Sequence, residues 1–114
     1  MKHSVGKVIP AATLTEVFTV PAGYKAEVST LFASNHTGNN KTITLYWQHA
    51  HDITHKIYIV FGYVINSNNY LQFSDSMVMQ SGDSIQVLTE AGSEMSVIAS
   101  FDLYKENTVP FMAD

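Results

Sequence analysis

The feature that most restricts this 114-residue chain is its hydrophobic rhythm: period-two alternation in short runs, each closed by turn chemistry, with no sustained 3.6-residue pattern flanked by helix caps. Successive strand residues face opposite ways, so such runs each offer one apolar face. The chain therefore reads as all-β. Strands are expected at Val5–Ile9, Leu14–Val20, Lys25–Asn35, Lys41–Gln48, Lys56–Ile65, Tyr70–Phe73, Met77–Met79, Ser84–Thr89 and Met95–Tyr104. Val20-Pro21-Ala22-Gly23, Ser81-Gly82-Asp83 and Ala91-Gly92-Ser93 carry the Pro, Gly and Asp that tight turns require, Asp83 as a side-chain acceptor for turn N–H groups. In Lys25–Asn35 strict alternation groups Ala26, Val28, Thr30 and Phe32 against Leu31 and Ala33. Thr37-Gly38-Asn39-Asn40 is expected to close a hairpin with Lys41–Gln48, in which Ile43, Leu45 and Trp47 face opposite to Thr42, Thr44 and Tyr46. Ile85 and Val87 should point inward, and Met95, Val97, Ala99, Phe101 and Leu103 should form one apolar face.

So many inward side chains exceed what one open sheet can cover, which predicts a single-domain antiparallel β-sandwich or jelly-roll-like fold of about eight strands. That domain would span residues 1–104. Residues 105–114 read as a tail. Val109, Pro110, Phe111 and Met112 are apolar groups without a strand of their own, which suggests docking on a neighbouring subunit.

Charge narrows the function classes. Charged residues make up 14% of the chain where about 25% is ordinary. Eleven Ser, ten Thr and seven Asn supply neutral polar surface instead. Six Lys/Arg against ten Asp/Glu leave no positive footprint for a phosphate backbone, so direct nucleic-acid binding is not expected. No run approaches the ~18 apolar residues of a membrane helix, and Met1–Gly6 lacks the apolar stretch of a secretory signal, which points to synthesis in the cytosol. Without cysteine there is no disulfide, thiolate metal site or Cys nucleophile.

Candidate chemistry concentrates in Trp47–His55. On an extended backbone His49 and His51 share a face, the His-x-His geometry that chelates a divalent metal from a strand, and His55 or Asp52 could add a third ligand. Cupin metal sites use the same four-residue step but complete themselves with a His further downstream, and no His follows His55 here. An exposed hairpin loop accounts for the three histidines more simply, so no metal and no other cofactor is assigned. There is no Gly-x-Ser-x-Gly elbow, P-loop, dinucleotide fingerprint or EF-hand spacing, and no catalytic residue is assigned. Asn35-His36-Thr37 fits the glycosylation acceptor pattern, which lacks significance without a signal peptide. Tyr46 and Tyr58 could build a sugar-stacking face. Strand aromatics more often pack or serve protein interfaces.

Several segments together carry a resemblance: Val20-Pro21-Ala22-Gly23 before the alternating Ala26–Phe32 run and Asn35; Lys41-Thr42-Ile43-Thr44-Leu45-Tyr46-Trp47; Gln80-Ser81-Gly82-Asp83-Ser84-Ile85-Gln86-Val87; Ala91-Gly92; and Val97-Ile98-Ala99-Ser100. Over Phe18 to Tyr104 the chain resembles small structural proteins of tailed bacteriophages, of the marine phage type, associated with head or tail. The resemblance implies a β-sandwich subunit without catalytic residues, repeated by symmetry on a particle. Its His-rich loop and apolar tail depart from that pattern. The expectation is a virion protein, assembled in the host cytoplasm, that decorates and cements the capsid. A neck or tail accessory subunit is the nearest alternative; a cupin-like metalloprotein or a carbohydrate-binding module are alternatives of other classes. Partners would be the major capsid protein or tail and neck proteins, and further copies of the chain, a trimer by analogy. Interface candidates are Thr42, Thr44, Tyr46, Val109, Phe111 and Met112.

Overall fold

A computed structural model describes residues 2–50 and 56–106. Among them the chain forms nine strands and no helix: β1 (Lys2–Ile9), β2 (Thr15–Thr19), β3 (Tyr24–Asn35), β4 (Lys41–Gln48), β5 (Lys56–Ile65), β6 (Tyr70–Phe73), β7 (Met77–Met79), β8 (Ser84–Thr89) and β9 (Met95–Lys105). Two antiparallel sheets pack face to face. The first has the order β1-β9-β3-β6, with β7 also on β3, and the second β2-β8-β4-β5. Because β6 pairs with Leu31–Ser34 and β7 with Ala26–Val28, they act as two halves of one interrupted strand. Counted so, the sandwich has eight strands that change sheet at every connection but β4–β5, the jelly-roll arrangement.

The core lies where alternation predicts. Met95, Val97, Ala99 and Phe101 of β9 and Ile85 and Val87 of β8 are buried, and Leu103 packs on the cluster's edge. Phe18 stacks on Phe101 across the sandwich, with ring centroids 4.0 Å apart.

Two expectations change. The register of β3 on β9 slips between Val28 and Thr30, so Ser29 sits in a bulge and the alternation reverses phase there. Ala26, Val28, Leu31 and Ala33 consequently share the buried face, while Phe32 turns outward to stack on Tyr70 at 4.9 Å. Nor do β3 and β4 form a hairpin: β3 belongs to the first sheet and β4 to the second. The reason is Asn35. Its buried amide donates to the carbonyls of Asn39 (3.0 Å) and Ile65 (2.9 Å), and its Oδ1 accepts from Thr37 N (2.9 Å). That latch spends the Thr37–Asn40 segment on crossing between sheets, and β4 finds its hairpin partner in β5 instead. It also closes the glycosylation pattern, since the acceptor amide is 1% exposed and fully engaged.

Candidate interaction surface

Among the described residues no three His, Cys, Asp or Glu side chains cluster as a metal site would require. His51 and His55 lie outside the described residues. His49 closes on an acid instead: its Nδ1 is 3.5 Å from Asp83 Oδ2. Asp83 is 1% exposed, and its carboxylate also accepts from the Trp47 indole (3.1 Å), Ala50 N (2.9 Å) and Gln80 N (3.0 Å). Burial pushes this carboxyl up. The N–H donors of Ala50 and Gln80, the Trp47 indole and the neighbouring His49 outweigh burial and hold it below the usual carboxylate value. Asp83 thus does the turn work expected of it, tying the start of the β4–β5 connection to the β7–β8 turn.

The outer face of the second sheet is where surface and sequence part from a plain sandwich. Alternation sends Thr42, Thr44 and Tyr46 outward on β4, opposite Trp47, but two of the three are covered by the chain itself. Tyr46 is only 8% exposed, beneath Tyr58 (centroids 5.0 Å) and with Lys56 Nζ 4.7 Å above its ring. Thr44 Oγ1 accepts from Gly62 N at 2.9 Å. Thr42 is half-buried, its N–H donating to Glu90 Oε1 at 3.0 Å; that bond and Lys41 hold the Glu90 carboxyl below its usual value despite partial desolvation. Val109, Phe111 and Met112 lie outside the described residues.

The exposed apolar surface of this face has moved one strand over. Among the described residues β5 pairs with β4 alone and forms the sheet's edge. Its register slips twice, placing Ile59 in one bulge and Phe61 and Gly62 opposite Thr44 in another. Gly62 takes φ +57, which a side chain rarely adopts. This bulge lifts Phe61 to 73% exposure, edge-on to Tyr58 at 4.9 Å, with Tyr58 and Val64 exposed beside it. A glycine inside a run of β-branched and aromatic residues is the sequence signal that marks such a bulge.

Tyr46 and Tyr58 do meet, as a sugar-binding face would need. Their planes are tilted by 46°, and Tyr58 meets Phe61 at 82°, so the rings make no flat platform for a pyranose. What this surface presents is a set of protruding, mutually tilted aromatic edges.

No protein-family model and no curated protein matches the chain. Its fold is similar to that of a solved chain described by the words "Bacillus endospore appendages form a novel family of disulfide-linked pili", with a TM-score of 0.55 over 92% of this chain and 85% of that one. The two are 16% identical, so the likeness is one of fold.

Proposed function

We propose that this chain is a non-enzymatic structural subunit that works inside a repeating protein assembly, and that the assembly is a phage particle which it decorates and cements. The observation that carries the structural reading is the long apolar edge strand β5, which exposes Ile57, Tyr58, Phe61, Tyr63 and Val64 together. Monomeric soluble proteins seldom leave so continuous an apolar strand uncovered, because unpaired edges invite association. The low charge supports the same reading, since neutral polar surface costs little to cover. The resemblance to head- and tail-associated phage proteins supplies the particle; the major capsid protein, or a neck or tail protein, is then the partner.

The fold likeness favours a second reading, a subunit of a filament. The neighbour is described as forming disulfide-linked pili. This chain has no cysteine, so a polymer of it would not be linked by disulfides. Mass spectrometry of purified particles from cells carrying the gene separates the readings. A virion subunit appears there at a copy number set by head or tail symmetry. Its absence from particles, together with recovery in a sedimentable filament fraction, overturns the particle reading in favour of the filament.

A further inference from the structure

A sandwich has two lateral seams where its sheets meet, and here they differ. On one side β1 packs over β2, with Ile9 buried, Val5 on the edge of the core and Lys7 Nζ donating across the gap to Glu16 O at 2.7 Å. On the other side β5 ends the second sheet and the interrupted strand β6–β7 ends the first, and the two approach each other less closely. Register places Ile57 opposite Trp47 and Tyr63 opposite Ile43, so both belong to the inward face of β5, yet Ile57 is 42% and Tyr63 47% exposed. Leu71 and Phe73 of β6 and Met77 of β7 also face inward, paired with Ala33, Leu31 and Val28, and they are only half-buried. Inward-facing apolar side chains at this exposure line an open seam, a feature that folds commonly cover with a further piece of chain.

The sequence supplies a segment of matching chemistry at the right place. Val109, Pro110, Phe111 and Met112 follow the last described residue, Glu106, whose N–H is fixed to Gly23 O at 2.8 Å. That anchor and the mouth of the seam meet at one turn: Gly23 N donates to Ser81 Oγ at 3.2 Å, and Trp47, the cross-strand neighbour of Ile57, donates to Asp83. With strands about 4.8 Å apart and sheets about 10 Å apart, the mouth between Ile57 and Met77 lies roughly 15 Å from Glu106. The six residues to Met112 span up to about 21 Å when extended, enough to enter it. Reach also excludes the apolar surface on β9. Ile98 is as exposed as Ile57, but it lies eight positions back from Glu106, about 27 Å along the strand.

We infer that the chain's own C-terminal segment folds back and inserts Phe111 and Met112 into the lower end of this seam, between Ile57 and Ile59 of β5 and Met77 of β7. Pro110 has no N–H to leave unpaired, which suits a segment held by its side chains rather than by extension of the β5 ladder. The segment covers the inward side of the β5 edge and leaves the outward Tyr58, Phe61 and Val64 for contact with a neighbour. The inference goes beyond the proposed function and applies to a particle or a filament subunit alike.

The test is disulfide trapping in the full chain, which has no cysteine of its own to interfere. Ile57→Cys combined with Met112→Cys should oxidise to a bond within one molecule, at a rate independent of protein concentration and roughly tenfold or more above that of Ile98→Cys combined with Met112→Cys. Adding Phe111→Ser to the first pair should slow closure about tenfold, because the ring that seats the segment is gone. Should Ile57→Cys fail to fold by circular dichroism, Met77→Cys on the facing wall replaces it. Equal rates for the two pairs, or a rate indifferent to Phe111→Ser, overturn the inference. Disulfides formed mainly between molecules overturn it too, and make the segment of a neighbouring copy the occupant.

Discussion

The indole Nε1 of Trp47 donates a 3.1 Å hydrogen bond to Oδ2 of Asp83, joining the end of β4 to the turn before β8 from inside the sandwich. The same carboxylate caps the N–H groups of Ala50 and Gln80, so one buried acid orders three chain segments. Replacing it leaves those donors without a charged acceptor. Asp83→Asn should cost about 2–3 kcal/mol at neutral pH, read by urea unfolding. Because the folded carboxyl is held below its ordinary 3.8, its contribution is complete above that value and is lost as pH falls through the folded pKa. The stability gap between wild type and Asp83→Asn should therefore narrow below about pH 4. A gap that stays constant from pH 7 to 3 would show that the charge is unimportant.

Asn35 is the corresponding latch at the other end of the sandwich, with its amide nitrogen on the carbonyls of Asn39 and Ile65 and its oxygen on Thr37. Asn35→Asp keeps the shape but exchanges the donor for an acceptor facing carbonyl oxygens. A loss of about 3 kcal/mol is expected, close to that of Asn35→Ala, again from denaturant midpoints. If Asn35→Asp unfolds like wild type at pH 7, the donor half of the latch is dispensable.

How much of this was legible follows from what alternation encodes. Runs such as Lys41–Gln48 and Ser84–Thr89 are bounded by turn residues, and their faces follow from counting in twos, so strands and most core residues could be read directly. Counting fails where a residue is inserted. Ser29 reverses the phase of β3, and the Phe61–Gly62 bulge turns an ordinary strand aromatic into the most prominent ring of β5. Sheet membership was equally hidden, since the polar Thr37–Asn40 turn suits a hairpin as well as a crossing, and only the buried partners of Asn35 decide between them. Alternation placed Thr44 and Tyr46 outward, but it carries no information about Tyr58 and Lys56 arriving over Tyr46, or the Gly62 bulge meeting Thr44, from β5.

Gly82 tests the junction between the Ala50 end of β4's exit and the β7–β8 turn. Its φ is +85, and a Cβ there would stand 2.8 Å from the Ala50 Cβ. Backbone conformation and space both refuse a side chain. Gly82→Ala should cost roughly 2 kcal/mol or more, whereas Gly92→Ala, also at positive φ but 3.5 Å from only the end of Lys41, should cost about 1 kcal/mol. Equal thermal shifts in the two variants would mean that backbone strain alone sets the cost.

Thr89 is 2% exposed, and among the described residues its hydroxyl has no hydrogen-bond partner. Thr89→Val removes the stranded oxygen at nearly constant volume, so it should stabilise the fold by about 1 kcal/mol, seen as a higher urea midpoint with an unchanged slope. A lower midpoint would mean that the hydroxyl is satisfied in solution.

Thr44 offers the most direct handle on the surface that β5 presents. Its hydroxyl accepts the Gly62 N–H at 2.9 Å, and that N–H lies within the bulge, where the regular ladder cannot serve it. Thr44→Val keeps the β-branched shape and removes the acceptor, which leaves a partly buried donor unmatched. The expected cost is about 1–2 kcal/mol, and Thr44→Ser, which restores the oxygen, should recover most of it. The bulge is what lifts Phe61, so amide exchange at Gly62 should quicken in Thr44→Val and return toward wild type in Thr44→Ser. Loss of stability in both variants alike, with no change in exchange at Gly62, would assign the role of Thr44 to packing of its methyl group and remove the hydroxyl from the account of how Phe61 is held out.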